Sequence, residues 1–195
     1  MPLWGATDAD ESKPKWLTTA QKKEVFADTT GWVVEGGSTM TGNDNTSAAP
    51  EILAAIGGLT TKIGAADITG VEWITTAADK SAGFTLSVRV RWNEAVTVTG
   101  NPTLAVTNGN QGTGSGRGPH SLVYASGSGS NERVFSLAIA AANAATNADD
   151  VLTVAAQTIA LAGGTIKDTA DGTTVSARAI SGAQGTACGS ITVVA

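Results

Sequence analysis

Cysteine, histidine, aromatic side chains and charge are all scarce in this sequence. One cysteine, Cys188, and one histidine, His120, occur in 195 residues. A single thiol excludes an internal disulfide, and one histidine far from one cysteine is a poor start for a zinc site. No apolar run approaches the roughly eighteen residues that a membrane-spanning helix needs. The opening stretch MPLWGATDADESKPKWL is acidic and contains no such run, so it lacks the pattern of a signal peptide. Only 15% of residues are charged and the net charge is -5, which disfavours a surface that binds nucleic acid by neutralising phosphates. Neither membrane nor nucleic acid is expected as a partner; protein is.

What the chain does have is glycine, 24 residues of it, with abundant Ala, Thr and Ser. That mixture reads as many short strands joined by tight turns. Phe84 to Trp92 alternates without a fault, placing Phe84, Leu86, Val88, Val90 and Trp92 on one face and Thr85, Ser87, Arg89 and Arg91 on the other. It predicts a half-buried antiparallel strand with its arginine face in solvent. Further strands are predicted at Val71 to Thr75, Ala95 to Thr99, Thr103 to Thr107, Ser121 to Ala125, Arg133 to Ala140, Val151 to Val154, Gln157 to Leu161 and Ile191 to Val194. Turn signals at Thr99-Gly100-Asn101-Pro102, Asn108-Gly109-Asn110, Gly127-Ser128-Gly129 and Gly163-Gly164 separate them. So many short strands can bury one face each only if two sheets pack together, which predicts a β-sandwich.

Upstream, Lys13, Lys15, Lys22 and Lys23 alternate with Asp8, Asp10, Glu11 and Glu24, favouring an extended, solvated arm over residues 1 to about 31. Thr18 or Thr19 could cap a short helix over Ala20 to Phe26. Trp32 to Glu35 and Glu51 to Ile56 read as strands, with a turn-rich loop from Gly36 to Pro50 between them. The expected organisation is an arm and small strand-containing segment over residues 1–66 and a sandwich over 67–195. The arm has no core of its own in this reading, so a partner must order it, and protease sensitivity is expected upstream of about Trp32.

A resemblance then becomes specific. FTLSVRVRWNEAVTVTGNPTLAVTNG (Phe84 to Gly109), LVYASGSGSNERVFSLAI (Leu122 to Ile139) and ALAGGTIKDTADGT (Ala160 to Thr173) follow one another in the order found in a bacterial and phage Ig-like module, which they resemble over roughly residues 67 to 175. The resemblance implies an all-β, Ig-like antiparallel β-sandwich with a structural or adhesive role and no catalysis. The N-terminal block, MPLWG with KPKWL and GWVVEGG, resembles the start of small virion structural proteins of marine cyanobacterial viruses (cyanophages). The stretch Gln111 to Pro119 departs from the module as an insertion.

The combination implies a bacteriophage virion protein, made in the host cytoplasm and carried on the particle surface. A capsid decoration protein gripping the major capsid protein is the leading expectation. The alternative is a tail, baseplate or fibre component that touches host-surface glycans. Trp4, Trp16 and Trp32 are the candidate partner-binding residues, either as anchors in a neighbouring virion protein or folded back onto the sandwich. Exposed sheet edges, and the Ala-rich stretch Ala138 to Ala145, leave homo-oligomerisation open.

Chemistry finds little support. His120 follows Gly118-Pro119 and reads as a solvated turn residue, and Cys188 as a small residue leading into the last strand, with no cationic setting to activate its thiol. GNQGTGSGRG (Gly109 to Gly118) fits neither common phosphate-loop pattern and precedes a strand, so it reads as a hairpin tip. Glu72, Glu94 and Glu132 sit at predicted strand ends or turns, Glu94 as a turn residue, without an apolar pocket to tune them for acid-base work. Asp149, Asp150, Asp168 and Asp171 either satisfy turn amides or contribute to a calcium site. No enzyme activity, cofactor or metal is expected.

Overall fold

The computed structural model describes residues 14, 16–28, 30–55, 65–109, 117–141, 146–170 and 172–195. In chain order they form a 3-10 turn (Gln21–Lys23), β1 (Val25–Asp28), β2 (Gly31–Val34), β3 (Glu51–Ala55), β4 (Ile68–Trp73), β5 (Ala78–Asp79), β6 (Phe84–Thr99) and β7 (Thr103–Gly109). They continue with β8 (Arg117–Ser126), β9 (Ser130–Ile139), β10 (Val151–Thr153), β11 (Gln157–Thr158), β12 (Thr165–Asp168), β13 (Ala179–Ile180), α1 (Gly182–Cys188) and β14 (Ser190–Val194). The protein is all-β, as its composition predicts.

The large sheet runs β3-β2-β1-β6-β9-β8-β7-β10-β14-β5, with β4 and β12 also paired to β6. It is a mixed sheet: β1 joins β6 and β5 joins β14 in parallel, and the other pairs are antiparallel. A separate two-stranded ladder joins β11 to β13. Val71 of β4 and Val193 of β14 come from distant places in the strand order, yet both belong to one hydrophobic cluster with Leu86, Val88, Val90, Trp92, Leu104, Leu122 and Phe135. The sheet therefore curls around a single main core. Helix α1 sits where it closes: Gln184 Nε2 donates to the Ile68 carbonyl at 2.7 Å, and Trp73 Nε1 to the Gly189 carbonyl at 3.3 Å.

Strand β6 organises everything else. Its alternation is as predicted, with Leu86, Val88, Val90 and Trp92 fully buried, and the same face continues through Val96 and Val98. The predicted turn at Asn93-Glu94 is absent. The register against β9 instead jumps from Arg91↔Glu132 to Val96↔Ser130, so that residues 92–95 face Asn131 alone. This wide bulge is pinned by Asp67, whose N–H donates to Asn93 Oδ1 at 2.7 Å and whose carbonyl accepts from the Asn93 N–H at 3.0 Å. A bulge lets one long strand change direction without ending. Glu94 is accordingly a buried mid-strand residue.

The turns that follow rely on glycine. At Gly100 φ is +69°, and a Cβ there would stand 2.8 Å from Gly164 Cα. Gly127 has φ +106°, and its missing side chain leaves room for the Glu132 carbonyl. The β8–β9 hairpin is wrapped around Arg133, which is completely buried and donates to the carbonyls of Gly127, Ser130 and Glu132.

The N-terminal region departs furthest from expectation. Residues 16–28 do not form an extended arm. Leu17, Val25, Ala27, Trp32 and Val34 make a second hydrophobic cluster, with Met40, Leu53 and Ala54 packed against it, so this region has a core of its own. The expected helix over Ala20 to Phe26 shrinks to the 3-10 turn, whose N-cap position is Ala20 and not a threonine, although Thr18 Oγ1 accepts from the Gln21 N–H at 3.2 Å. Beyond it Val25-Phe26-Ala27 pair with Val34-Val33-Trp32, because β-branched and aromatic side chains pack better on a pleated surface than on a short helix. This block then joins the body at β6, through the register pair Ala27↔Glu94.

Candidate functional site

The second face of β6 explains the junction. The alternation that points Val88, Val90 and Trp92 into the main core points Arg89 and Arg91 the other way. The N-terminal block covers that face, so Arg91 is buried. Buried guanidinium needs partners, and they arrive from four other segments. Arg91 NH1 donates to the Lys23 carbonyl at 2.7 Å and to Glu35 at 3.1 and 3.2 Å. The same nitrogen lies 2.5 Å from Glu132 Oε1 on β9, and Arg91 Nε lies 3.5 Å from Glu72 Oε2 on β4. Outside this inner ring, Arg89 Nε is 3.3 Å from Glu132 Oε2, and Lys23 Nζ 2.5 Å from Glu72 Oε1.

The carboxylates feel this site differently. Burial pushes Glu35 up to about 7; Arg91 partly offsets the rise and the neighbouring Glu132 adds to it. Burial also acts upward on Glu72, but its bond to Lys23 and the charges of Arg91, Lys23 and Arg89 prevail, holding it below the ordinary value. Burial disfavours the Arg91 charge, and Glu132 and Glu35 more than restore it. One guanidinium thus ties three carboxylates from three parts of the chain together.

Beside the network opens a cleft of about 420 Å³ between the 3-10 turn, β4 and α1. Lys22 and Lys23 stand on one side, Gly70, Glu72 and Trp73 form its floor, and Gln184 and Cys188 close it. Gly70 faces open space, where a Cβ would meet nothing. Burial, with the Glu72 charge adding to it, pushes the Cys188 thiol up to about 11, so it is a neutral wall residue and no ready nucleophile.

The predicted candidates separate. Trp16 is 70% exposed, at the entrance to the N-terminal block. Trp32 is buried in that block's own cluster and has no free face to offer a partner. Trp4 lies outside the described residues. His120 is a buried residue of β8, not a solvated turn residue: its Nε2 is 3.1 Å from Thr146 Oγ1 and 3.4 Å from Asn108 Nδ2. Burial lowers its pKa and Asp150 partly counters that. Cys188 ends α1, directly before β14. Asp150 Oδ2 accepts from the Asn147 N–H at 2.7 Å and Asp168 Oδ1 from the Ala170 N–H at 2.7 Å, both local turn bonds. Asp149 has a left-handed backbone with φ 65°, and Asp171 lies outside the described residues. Among the described residues no three His, Cys, Asp or Glu side chains group as a metal ion requires, and no helix is long and apolar enough to cross a membrane.

Glu72 and Glu132 stand in the sequence as separate acids, and nothing local marks Glu35 or Arg91 as site residues. The unbroken alternation made the arginine face look solvated. Only the block folded over it converts that face into an interior. Comparison with protein-family models, curated proteins and solved structures finds no match for this chain.

Proposed function

We propose that this chain is a structural protein of a bacteriophage virion, a capsid decoration protein whose Ig-like β-sandwich stands on the shell while its N-terminal region grips the major capsid protein. The role is adhesive, with no reaction centre. The sequence motifs from Phe84 to Thr173 support the module, and MPLWG, KPKWL and GWVVEGG support the virion. The observation that carries the anchoring part is Trp16, 70% exposed at the start of a block whose other large apolar side chains are mostly buried. An indole left in water at that position offers a partner about 150–250 Å² of surface to cover.

Binding of purified protein to shells lacking it tests this. Trp16→Ala is expected to weaken binding at least tenfold, since a buried aromatic anchor commonly contributes 2 kcal/mol or more. Deletion of residues 1–15 should weaken it further. If both variants bind like the parent, the anchoring proposal fails. A second reading, a tail, baseplate or fibre component that contacts host-surface glycans, is favoured by the cleft with Trp73 at its floor and Lys22 and Glu72 beside it. Gel densitometry of particles separates the two: a decoration protein approaches the copy number of the shell protein, and a tail component falls far below it.

A further inference from the structure

The Arg91 nitrogen that joins block to body is short of hydrogens. NH1 carries two, and the structure directs them at the Lys23 carbonyl and at Glu35. Glu132 Oε1 lies 2.5 Å from the same nitrogen, fully buried, and receives no hydrogen bond from it or from any other donor. A buried carboxylate oxygen without a donor is costly. Two carboxyl groups thus converge on one nitrogen, Glu35 at 3.1 and 3.2 Å and Glu132 at 2.5 Å. Two ionised carboxylates are acceptors only, so neither can serve the other until one of them carries a proton.

We propose that one proton, held between Glu35 and Glu132 over Arg91, clamps the N-terminal block to the body, so that the block tightens as the solution is acidified through neutrality and loosens as it is made alkaline. The protonated Glu35 supplies the donor that Glu132 Oε1 lacks. Removal of the proton sets two like charges against a single guanidinium nitrogen. The surrounding charges fix the sign. Arg91 and Arg89 reach in from β6, Glu72 from β4, Glu132 from β9 and Lys23 from the 3-10 turn. Glu24, next to Lys23, is turned away into a bond with Ser38 Oγ, and Cys188 on α1 stays neutral beside Glu72. Three acids therefore face three bases, of which Lys23 is mostly solvated, so the inner ring around Arg91 is overloaded with acid until a proton is added.

The clamp is tested on the full chain by hydrogen exchange of the peptide covering residues 25–34, corrected for intrinsic rate, between pH 6 and 8.5. Opening of the block should increase on the order of tenfold over that interval, while the β6 segment 84–90 stays protected. Glu35→Gln replaces the shared proton with an amide donor, and its corrected exchange should be flat with pH. A flat profile in the parent chain would overturn the clamp, and so would an unchanged slope in Glu35→Gln. Carboxyl carbon NMR of the parent needs no variant: Glu35 should titrate near neutrality, and titration in the ordinary glutamate range would overturn the clamp as well.

Discussion

At the scale of single residues, the most constrained side chains are polar ones inside the fold. Arg133 serves three carbonyls of one hairpin, and burial pushes its pKa down to about 10. Arg133→Met keeps the apolar stem and strips every donor, so a loss of about 3 kcal/mol or more is expected in chemical denaturation. Glu35 and His120 give opposite pH dependence. The Glu35 value is raised in the fold, so its contribution is complete below the ordinary carboxyl value of 4.5 and is lost as pH rises through about 7. The His120 value is lowered, so its contribution is present above the ordinary imidazole value of 6.5 and is lost as pH falls below it. The parent chain should then be most stable in mildly acidic to neutral solution. Between about pH 5 and 8.5, thermal unfolding of Glu35→Gln should keep only the acid-side loss, and His120→Gln only the alkaline-side loss; Glu72, held below its ordinary value, adds its own loss in more acidic solution.

At the scale of elements, α1 is short and depends on its start. Ser181 Oγ accepts from the Gln184 N–H at 3.2 Å and Gln184 Oε1 from the Ser181 N–H at 2.8 Å, a reciprocal capping box. Ser181→Ala should cost about 1 kcal/mol, read by thermal denaturation, and should loosen the Gln184 bond to β4. Ser181-Gly-Ala-Gln carries this signature in the sequence itself. Strand β6 was legible because its period-2 pattern is dictated by one buried face. Its bulge was not, since the bond between Asp67 and Asn93 spans 26 positions and leaves no local trace. The N-terminal block was hidden for a related reason. Lysines and acids interleave there, and the buried positions Leu17, Val25, Trp32 and Val34 find one another only after β1 and β2 pair. His120 was misplaced because Gly118-Pro119 signals a turn, whereas β8 already runs through it.

At the scale of the molecule, two hydrophobic clusters lie on either side of one strand. The main core packs on one face of β6 and the N-terminal block on the other, with Arg91 between them. Trp16 is 70% exposed and belongs to neither cluster, so Trp16→Ala should leave the unfolding midpoint within about 2 °C of the parent. That measurement separates anchoring from folding in any binding experiment. The edge strand β3, with Ile52 61% exposed, is where a further strand would add; sedimentation of Ile52→Lys against the parent reports whether copies pair there.

The position of β6 has a mechanical consequence. Tension entering at Trp16 passes through β1 into a strand flanked by partners on both edges, instead of plucking at the rim of the sheet. Such an attachment resists by sliding whole segments past one another around Arg91, so the N-terminal block, when pulled, should yield all at once, without fraying.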